Sequence, residues 1–189
     1  MKDIPEETEL LLAPGRTSVR YEPFGVCGIY SAWNYPLVTM LKPVVQCICT
    51  GNAAIIKPSE VAPATSAVLK KFVERYLDTD FYQVIEGGID VAVALNKQKL
   101  DLICFTGSTS VGKIVATAAA ANLTPCILEL GGKCPVVVDR EADLDHATDK
   151  LCFSKFQNQG QTCLAPDYFL VHESVVKVFV AMMKLKIKQ

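Results

Sequence analysis

The sequence predicts an α/β fold. It reads as a doubly wound, parallel-sheet (Rossmann-like) nucleotide-binding domain followed by the beginning of a second, α/β catalytic domain. Three observations carry this. Short apolar runs alternate with stretches of helical periodicity, the connections between them are short, and the runs are continuously apolar rather than alternating. Continuous apolarity is the mark of strands covered on both faces by helices, and a βαβα rhythm with short links closes into an open parallel sheet. Ligands of such sheets sit outside the carboxyl ends of the strands.

The elements follow in order. A Pro14-Gly15 turn between Leu10-Leu11-Leu12 and Thr17-Ser18-Val19 predicts a β-hairpin. Buried strands are expected over 26–31, 53–57, 82–85, 102–106, 126–130 and 135–138. Helices are expected over 38–50, 64–76, 89–97 and 110–121. Beyond Asp139 the pattern changes to a helix over 143–156, a polar turn, a strand over 168–172 and a last helix from Ser174 to about Lys186. That helix presents Val175, Val176, Val178, Phe179 and Met182, for which no covering sheet is evident. The organisation expected is a hairpin arm of an oligomerisation element over 1–23, a nucleotide-binding domain over 24–130 and the N-terminal part of a catalytic domain over 131–189.

Composition excludes several functions. Nineteen Lys and Arg against twenty Asp and Glu give a net charge of −1, so no field draws in nucleic acid or an anionic membrane. The first seven residues have neither an apolar leader core nor an Arg-rich, acid-poor character. The longest apolar stretches are interrupted at Gln46, Thr50, Gly51 and Asn52, too early to span a bilayer. A cytoplasmic protein without a membrane segment is expected. Eight cysteines occur, but without a CxxC pair, and the two histidines lie far apart. No metal site is expected, and free thiols in a reducing compartment fit better than a disulfide framework.

Candidate chemistry falls at the strand ends. The segment from Phe105 to Lys113 (FTGSTSVGK) ends one strand and opens a helix, so its backbone can approach a phosphate at the helix N-terminus; a plain helix cap is the other reading. Its spacing imitates a phosphate-binding GxxxxGK[ST] loop, but Ile114 stands where a magnesium-binding hydroxyl is needed. Lys57-Pro58-Ser59-Glu60 follows a strand and can address ribose hydroxyls from two sides, or simply form a turn that starts the next helix. Glu129-Leu130-Gly131-Gly132-Lys133 sets a carboxylate at a strand end, suited to a general base, or makes a turn with a solvated charge. Asn158 to Cys163 places one cysteine in a polar turn, where a thiol can become a nucleophile, against the alternative of a chance, partly buried cysteine. Asn34, within Trp33-Asn34-Tyr35-Pro36, has an amide able to donate to an oxyanion.

Taken in order, Trp33-Asn34-Tyr35-Pro36, Lys57-Pro58-Ser59-Glu60, Phe105-Thr106-Gly107-Ser108, Glu129 to Lys133 and Gly160-Gln161-Thr162-Cys163 resemble the aldehyde dehydrogenase superfamily. The stretches 21–25 and 163–168 are similar to its class 3, fatty and aromatic aldehyde branch. The resemblance implies that Cys163 is the nucleophile, that Asn34 and the Cys163 backbone N–H hold the oxyanion, and that Glu129 activates the hydrolytic water. It implies that Lys57 and Glu60 hold the adenosine ribose, with Trp33, Gly107, Ser108, Gly112, Leu130 and Gly131 also on the cofactor. Glu60 facing a 2′-hydroxyl favours NAD, since a 2′-phosphate meets like charge, although members of this branch also accept NADP. The activity implied is oxidation of an aldehyde to a carboxylic acid through a thiohemiacetal and a thioester. Glu129 argues for hydrolysis over acyl transfer to coenzyme A.

Family members carry helices ahead of the hairpin and a long catalytic half after the cysteine, whereas Cys163 lies near the end of this 189-residue sequence. The sequence therefore reads as truncated at both ends. The partners expected are an aldehyde and either a second copy of the chain or a protein supplying the rest of the catalytic half. The alternative is a catalytically silent nucleotide-binding or structural subunit of a larger assembly.

Overall fold

The computed structural model describes residues 3–188. By contact they form two compact units. One runs up to Thr106 and includes Lys113–Leu128; the other comprises Gly107–Gly112 and the chain from Glu129 onward.

The first unit opens with a hairpin in which β1 (Ile4–Glu6) pairs antiparallel with β2 (Thr17–Val19), Ile4 opposite Val19. The hairpin is real, but its first strand is not the expected Leu10-Leu11-Leu12. Those residues wind into a 3-10 turn, with Leu12 N–H on the Glu9 carbonyl at 2.9 Å and Ala13 N–H on Leu10 at 3.2 Å. Leu10 and Leu11 are exposed, so no sheet face rewards their extension.

A five-stranded sheet follows: β3 (Val26–Tyr30), β4 (Ala53–Lys57), β5 (Tyr82–Val84), β6 (Leu102–Gly107) and β7 (Cys126–Leu130), in spatial order β5-β4-β3-β6-β7. Central β3 runs parallel to both neighbours, with Tyr30 opposite Lys57 on one side and Phe105 on the other. The chain steps outward from β3 to β4 and β5, then returns to the far side of β3 for β6 and β7. The order reverses at β3, which is the switch point where such sheets bind ligands.

Alternation along β3 builds two packed faces. Cys27 and Ile29 join Ala54, Ile56 and Val84 against Met40, Val44 and Cys47 of α1 (Pro36–Thr50) and Leu69 and Val73 of α2 (Pro63–Tyr76). On the opposite face Tyr30 lies 6.1 Å from Phe105 between ring centroids and hydrogen-bonds to Asn96, the last residue of α3 (Ile89–Asn96). At the sheet's edge, β7 departs from the expectation of a doubly covered strand: Ile127 and Glu129 are exposed. The last helix of this series is α4 (Thr109–Ala120).

Entry into β3 is pinned from two sides. Gly25, at φ +126°, donates its N–H to Asn52 Oδ1 at 2.9 Å, and the next N–H, of Val26, goes to Asp101 Oδ2 at 2.8 Å. A side chain at Gly25 would strike that carboxylate, 2.2 Å away.

In the second unit β8 (Cys134–Val138) pairs with β9 (Pro166–Val171) rather than with the large sheet. The two strands run parallel, with Val137 opposite Leu170. They are linked through α5 (Leu144–Phe156), whose N-terminus is capped by Asp143 accepting from His146 N–H at 3.1 Å. On the last helix, α6 (Val176–Lys186), Val176 and Val178 are exposed as expected, but Phe179 is not. Phe179 is 4% exposed and lies 5.8 Å from Phe169 of β9. Lys186 ties α6 to α5 through Asp145 at 2.9 Å and Asp149 at 2.7 Å. No helix among the described residues is long and apolar enough to cross a membrane.

Candidate active site

In the first unit, the carboxyl ends of β3 and β4 lie side by side, joined by Ser31 N–H donating to the Lys57 carbonyl at 3.1 Å. Beyond β3, the loop with exposed Trp33 and half-buried Asn34 is held by Thr39 of α1. Its hydroxyl accepts from Ala32 N–H at 3.1 Å, donates to the Tyr35 carbonyl at 3.0 Å and meets the Ser31 hydroxyl at 2.8 Å. Pro36 opens α1 with its φ preset and no N–H to satisfy. Thr39 was not legible as a site residue. A hydroxyl in the first helical turn after a Pro is the signal that marks it.

Lys57 ends β4 with a side chain 7% exposed. Its Nζ donates to Glu60 Oε2 at 2.7 Å and to the Pro58 carbonyl at 3.1 Å. The ammonium so close to Glu60 holds that carboxyl below its ordinary value near 4.5, helped by a backbone hydrogen bond. Beside the pair, Pro58, Ser59, Glu60, Pro63, Ser66, Glu86 and Gly87 line a cleft of about 160 Å³. Ser66 fixes its floor by donating to the Ser59 carbonyl at 2.9 Å. Glu86 and Gly87 were not singled out in the sequence, although Gly87-Gly88 lies at a strand–helix junction like the other motifs.

In the second unit Ser108 behaves as the N-cap of α4. Its hydroxyl accepts from Val111 N–H at 3.3 Å, and its carbonyl accepts from Gly112 N–H at 2.9 Å. The cap and an anion-facing helix start are the same geometry, so both readings of Gly107, Ser108 and Gly112 stand on it.

Glu129, next to last in β7, is exposed, and Gly131 has no neighbouring atom within 4 Å of where a Cβ would stand. From there the Glu129–Lys133 motif runs into β8, and the structure brings it beside the cysteine turn. A Cβ on Gly132 would lie 3.9 Å from the Cys163 carbonyl oxygen, and Lys133 Nζ pairs with Asp167 at 2.7 Å. Cys163 itself is exposed, one residue into a turn closed by Ala165 N–H on the Thr162 carbonyl at 3.1 Å. The turn is reached through three successive left-handed residues, Asn158 (φ 51°), Gln159 (φ 58°) and Gly160 (φ 74°). Left-handed backbone costs a non-glycine residue about 1–2 kcal/mol, and such runs mark functional segments. Gln161 locks the reversal, its N–H and Nε2 both reaching the Asn158 carbonyl, at 3.1 and 3.0 Å.

Cys163 is not the only exposed thiol: Cys49, in α1, is exposed too. Cys47 continues the inward stripe of Met40 and Val44, and two residues further on the helix has turned through roughly 200°. Cys27 and Cys47 are buried. The Cys27 thiol is pushed up by its hydrogen bond to Cys47 and by burial, while that bond draws Cys47 down. No group of three His, Cys, Asp or Glu arranged to hold a metal occurs among the described residues.

The first unit thus offers a parallel sheet with a lysine–carboxylate pair at a strand end, and the second an exposed cysteine in a turn reached through left-handed backbone. Comparison with known proteins gives the family. The aldehyde dehydrogenase family model matches residues 3–189. Over 184 residues the chain is 46% identical to aldehyde dehydrogenase family 3 member A2 of Mus musculus, covering 97% of this chain and 38% of that protein. It is 46% identical over 170 residues to the dimeric NADP-preferring aldehyde dehydrogenase of the same species, covering 90% and 38%. Among solved structures, the substrate-bound state of Staphylococcus aureus AldH superposes with a TM-score of 0.94 at 42% identity, covering 99% of this chain and 41% of that one. The chain belongs to the aldehyde dehydrogenase family, and it spans under half the length of these relatives.

Proposed function

We propose that the chain supplies the nucleotide-binding module and the nucleophile for NAD(P)-dependent oxidation of an aldehyde to a carboxylic acid. The observation that carries the reading is the exposed Cys163 turn seated against the Gly132–Cys134 segment, in the same motif as Glu129. Cys163 attacks the carbonyl carbon, with Asn34 and its own backbone N–H donating to the oxyanion of the thiohemiacetal. A nicotinamide cofactor held by this module would supply the hydride acceptor for the oxidation. Glu129 then takes a proton from the water that cleaves the Cys163 thioester.

The Lys57–Glu60 pair and its adjoining cleft fit an adenosine ribose, an ammonium donor on one side and a carboxylate acceptor on the other. Glu60 favours a free 2′-hydroxyl and hence NAD, although a relative named above is NADP-preferring. The hairpin of β1 and β2 is the arm through which copies of the chain dock.

The test is alkylation with a limiting dose of iodoacetamide, followed by peptide mapping. Cys163 is expected to be modified ahead of the other seven thiols, exposed Cys49 included, at a rate that bound NAD changes. Labelling of Cys163 no faster than Cys49 or Cys152 would sink the assignment.

A further inference from the structure

The turn that carries the nucleophile has a second thiol resting on it. Cys134 Sγ donates to the carbonyl oxygen of Cys163 at 3.1 Å, although the two residues are 29 apart in sequence. That oxygen stands about 2.4 Å from its own Cα, given standard C=O and Cα–C lengths. The Cys134 sulfur is thus within about 5.5 Å of the Cys163 Cα, so rotation of the Cys163 side chain carries its sulfur toward Cys134, and a modest shift of the strand end closes the rest of the gap to an S–S bond. Little holds the two apart. Gly132, flanking both, contributes no side chain, and its Cβ position is 3.7 Å from Cys134 Sγ. Cys134 opens β8 where the ladder slips, between Cys134 and Pro135, so its strand end is free to adjust. The Cys163 turn is exposed. The other cysteine of this unit, Cys152, is engaged elsewhere, its sulfur 3.9 Å from Met183 Sδ.

We propose that Cys134 is a resolving thiol that forms a reversible disulfide with Cys163 when hydrogen peroxide reaches the site. The proposal rests on the reading of Cys163 as the reactive thiol. The Cys163 thiolate attacks one peroxide oxygen, the O–O bond breaks, and a sulfenic acid and hydroxide result; the proton released in forming the thiolate turns that hydroxide into water. The Cys134 sulfur then attacks the Cys163 sulfur, the S–O bond breaks, and the Cys134 proton leaves with the hydroxyl as a second water. Two thiols become one disulfide while one peroxide becomes two waters. The bond removes the nucleophile from reaction and spares it the irreversible steps to sulfinic and sulfonic acid.

The experiment treats the protein with one equivalent of hydrogen peroxide, blocks the remaining thiols, and maps the peptides with and without dithiothreitol. A 134–163 cross-linked peptide is expected to hold most of the oxidised Cys163 and to vanish on reduction. Cys134→Ser, which keeps the donor to the Cys163 carbonyl, is expected to raise dimedone-trapped sulfenic acid at Cys163 about tenfold and to pass on to sulfinic acid. Equal sulfinic acid in wild type and Cys134→Ser, or a Cys163 disulfide to any other thiol, overturns the proposal. A parallel arm uses diamide, which joins thiols by proximity. Failure of diamide to make the 134–163 bond overturns the pairing. Peroxide that spares Cys163 while diamide links it refutes Cys163 as the reactive thiol and upholds the pair.

Discussion

Replacing Lys57 by Met separates what the buried ammonium does for folding from what it does for a ligand. The side chain is 7% exposed, and its partner Glu60 is 50% exposed. Methionine matches its length and fills the same space without charge. Two contributions to stability then oppose each other. The ion pair is lost, but a half-solvated partner makes such a pair worth only about 1 kcal/mol. The desolvation of a buried ammonium is relieved at the same time, and Glu60, half exposed, keeps water as its partner, so the two terms nearly cancel. The melting temperature is therefore expected to move by no more than about 2–4 °C. Binding is different. An ammonium has three donors; Glu60 and Pro58 occupy two, leaving one for a ribose hydroxyl. A charged hydrogen bond contributes about 1.5–3 kcal/mol, so Lys57→Met should raise the Kd for NAD roughly tenfold or more. Titration calorimetry with NAD, alongside thermal melts of both proteins, reads the two effects separately. An unchanged Kd with a melting temperature lowered by more than about 10 °C would show that Lys57 only braces the strand end.

Two further expectations concern the same unit. Gly25→Ala forces a Cβ to within 2.2 Å of the Asp101 carboxylate at a φ of +126°, so a loss of about 3 kcal/mol is expected from urea unfolding; a change under about 0.5 kcal/mol contradicts the pinned entry into β3. Glu60 titrates below its ordinary value because of Lys57, so the pair's stabilisation is complete above the carboxyl's unfolded pKa and is lost as pH falls through the depressed folded one. Urea midpoints measured into the acid range should fall less steeply for Glu60→Gln than for the parent, and identical slopes would remove the pair from the acid response.

The large sheet was legible because its strands are short, apolar and bounded by turn residues, and burial is what that pattern reports. The hairpin was misread for a related reason. Leu10-Leu11-Leu12 has the apolarity of a strand but no face to bury, whereas Ile4-Pro5-Glu6 pairs despite a proline, which an edge position tolerates. The site divides similarly. Candidates marked by residue type near a strand end, such as Lys57 and Glu129, could be picked out from local sequence. Asn52, Asp101 and Cys134 could not, because each acts on backbone that the fold brings to it, from 75 residues away for Asp101 and Val26.

The two-stranded sheet of the second unit also bears on how the protein behaves in concentrated solution. Both of its strands are edges. Val136, Val138 and Phe169 turn inward, but Val137 is 74% exposed and Leu170, beside it in register, is 56% exposed. The run Cys134-Pro135-Val136-Val137-Val138 carries no charge and strong β-propensity, a composition prone to stacking with copies of itself. Its guards are few: Pro135 offers no N–H to an approaching strand, and Lys133, Asp139 and Arg140 stand as charged gatekeepers at its two ends. Among the described residues the sheet thus presents a template for edge-to-edge pairing, and light scattering that grows with concentration below the melting temperature is the expected outcome.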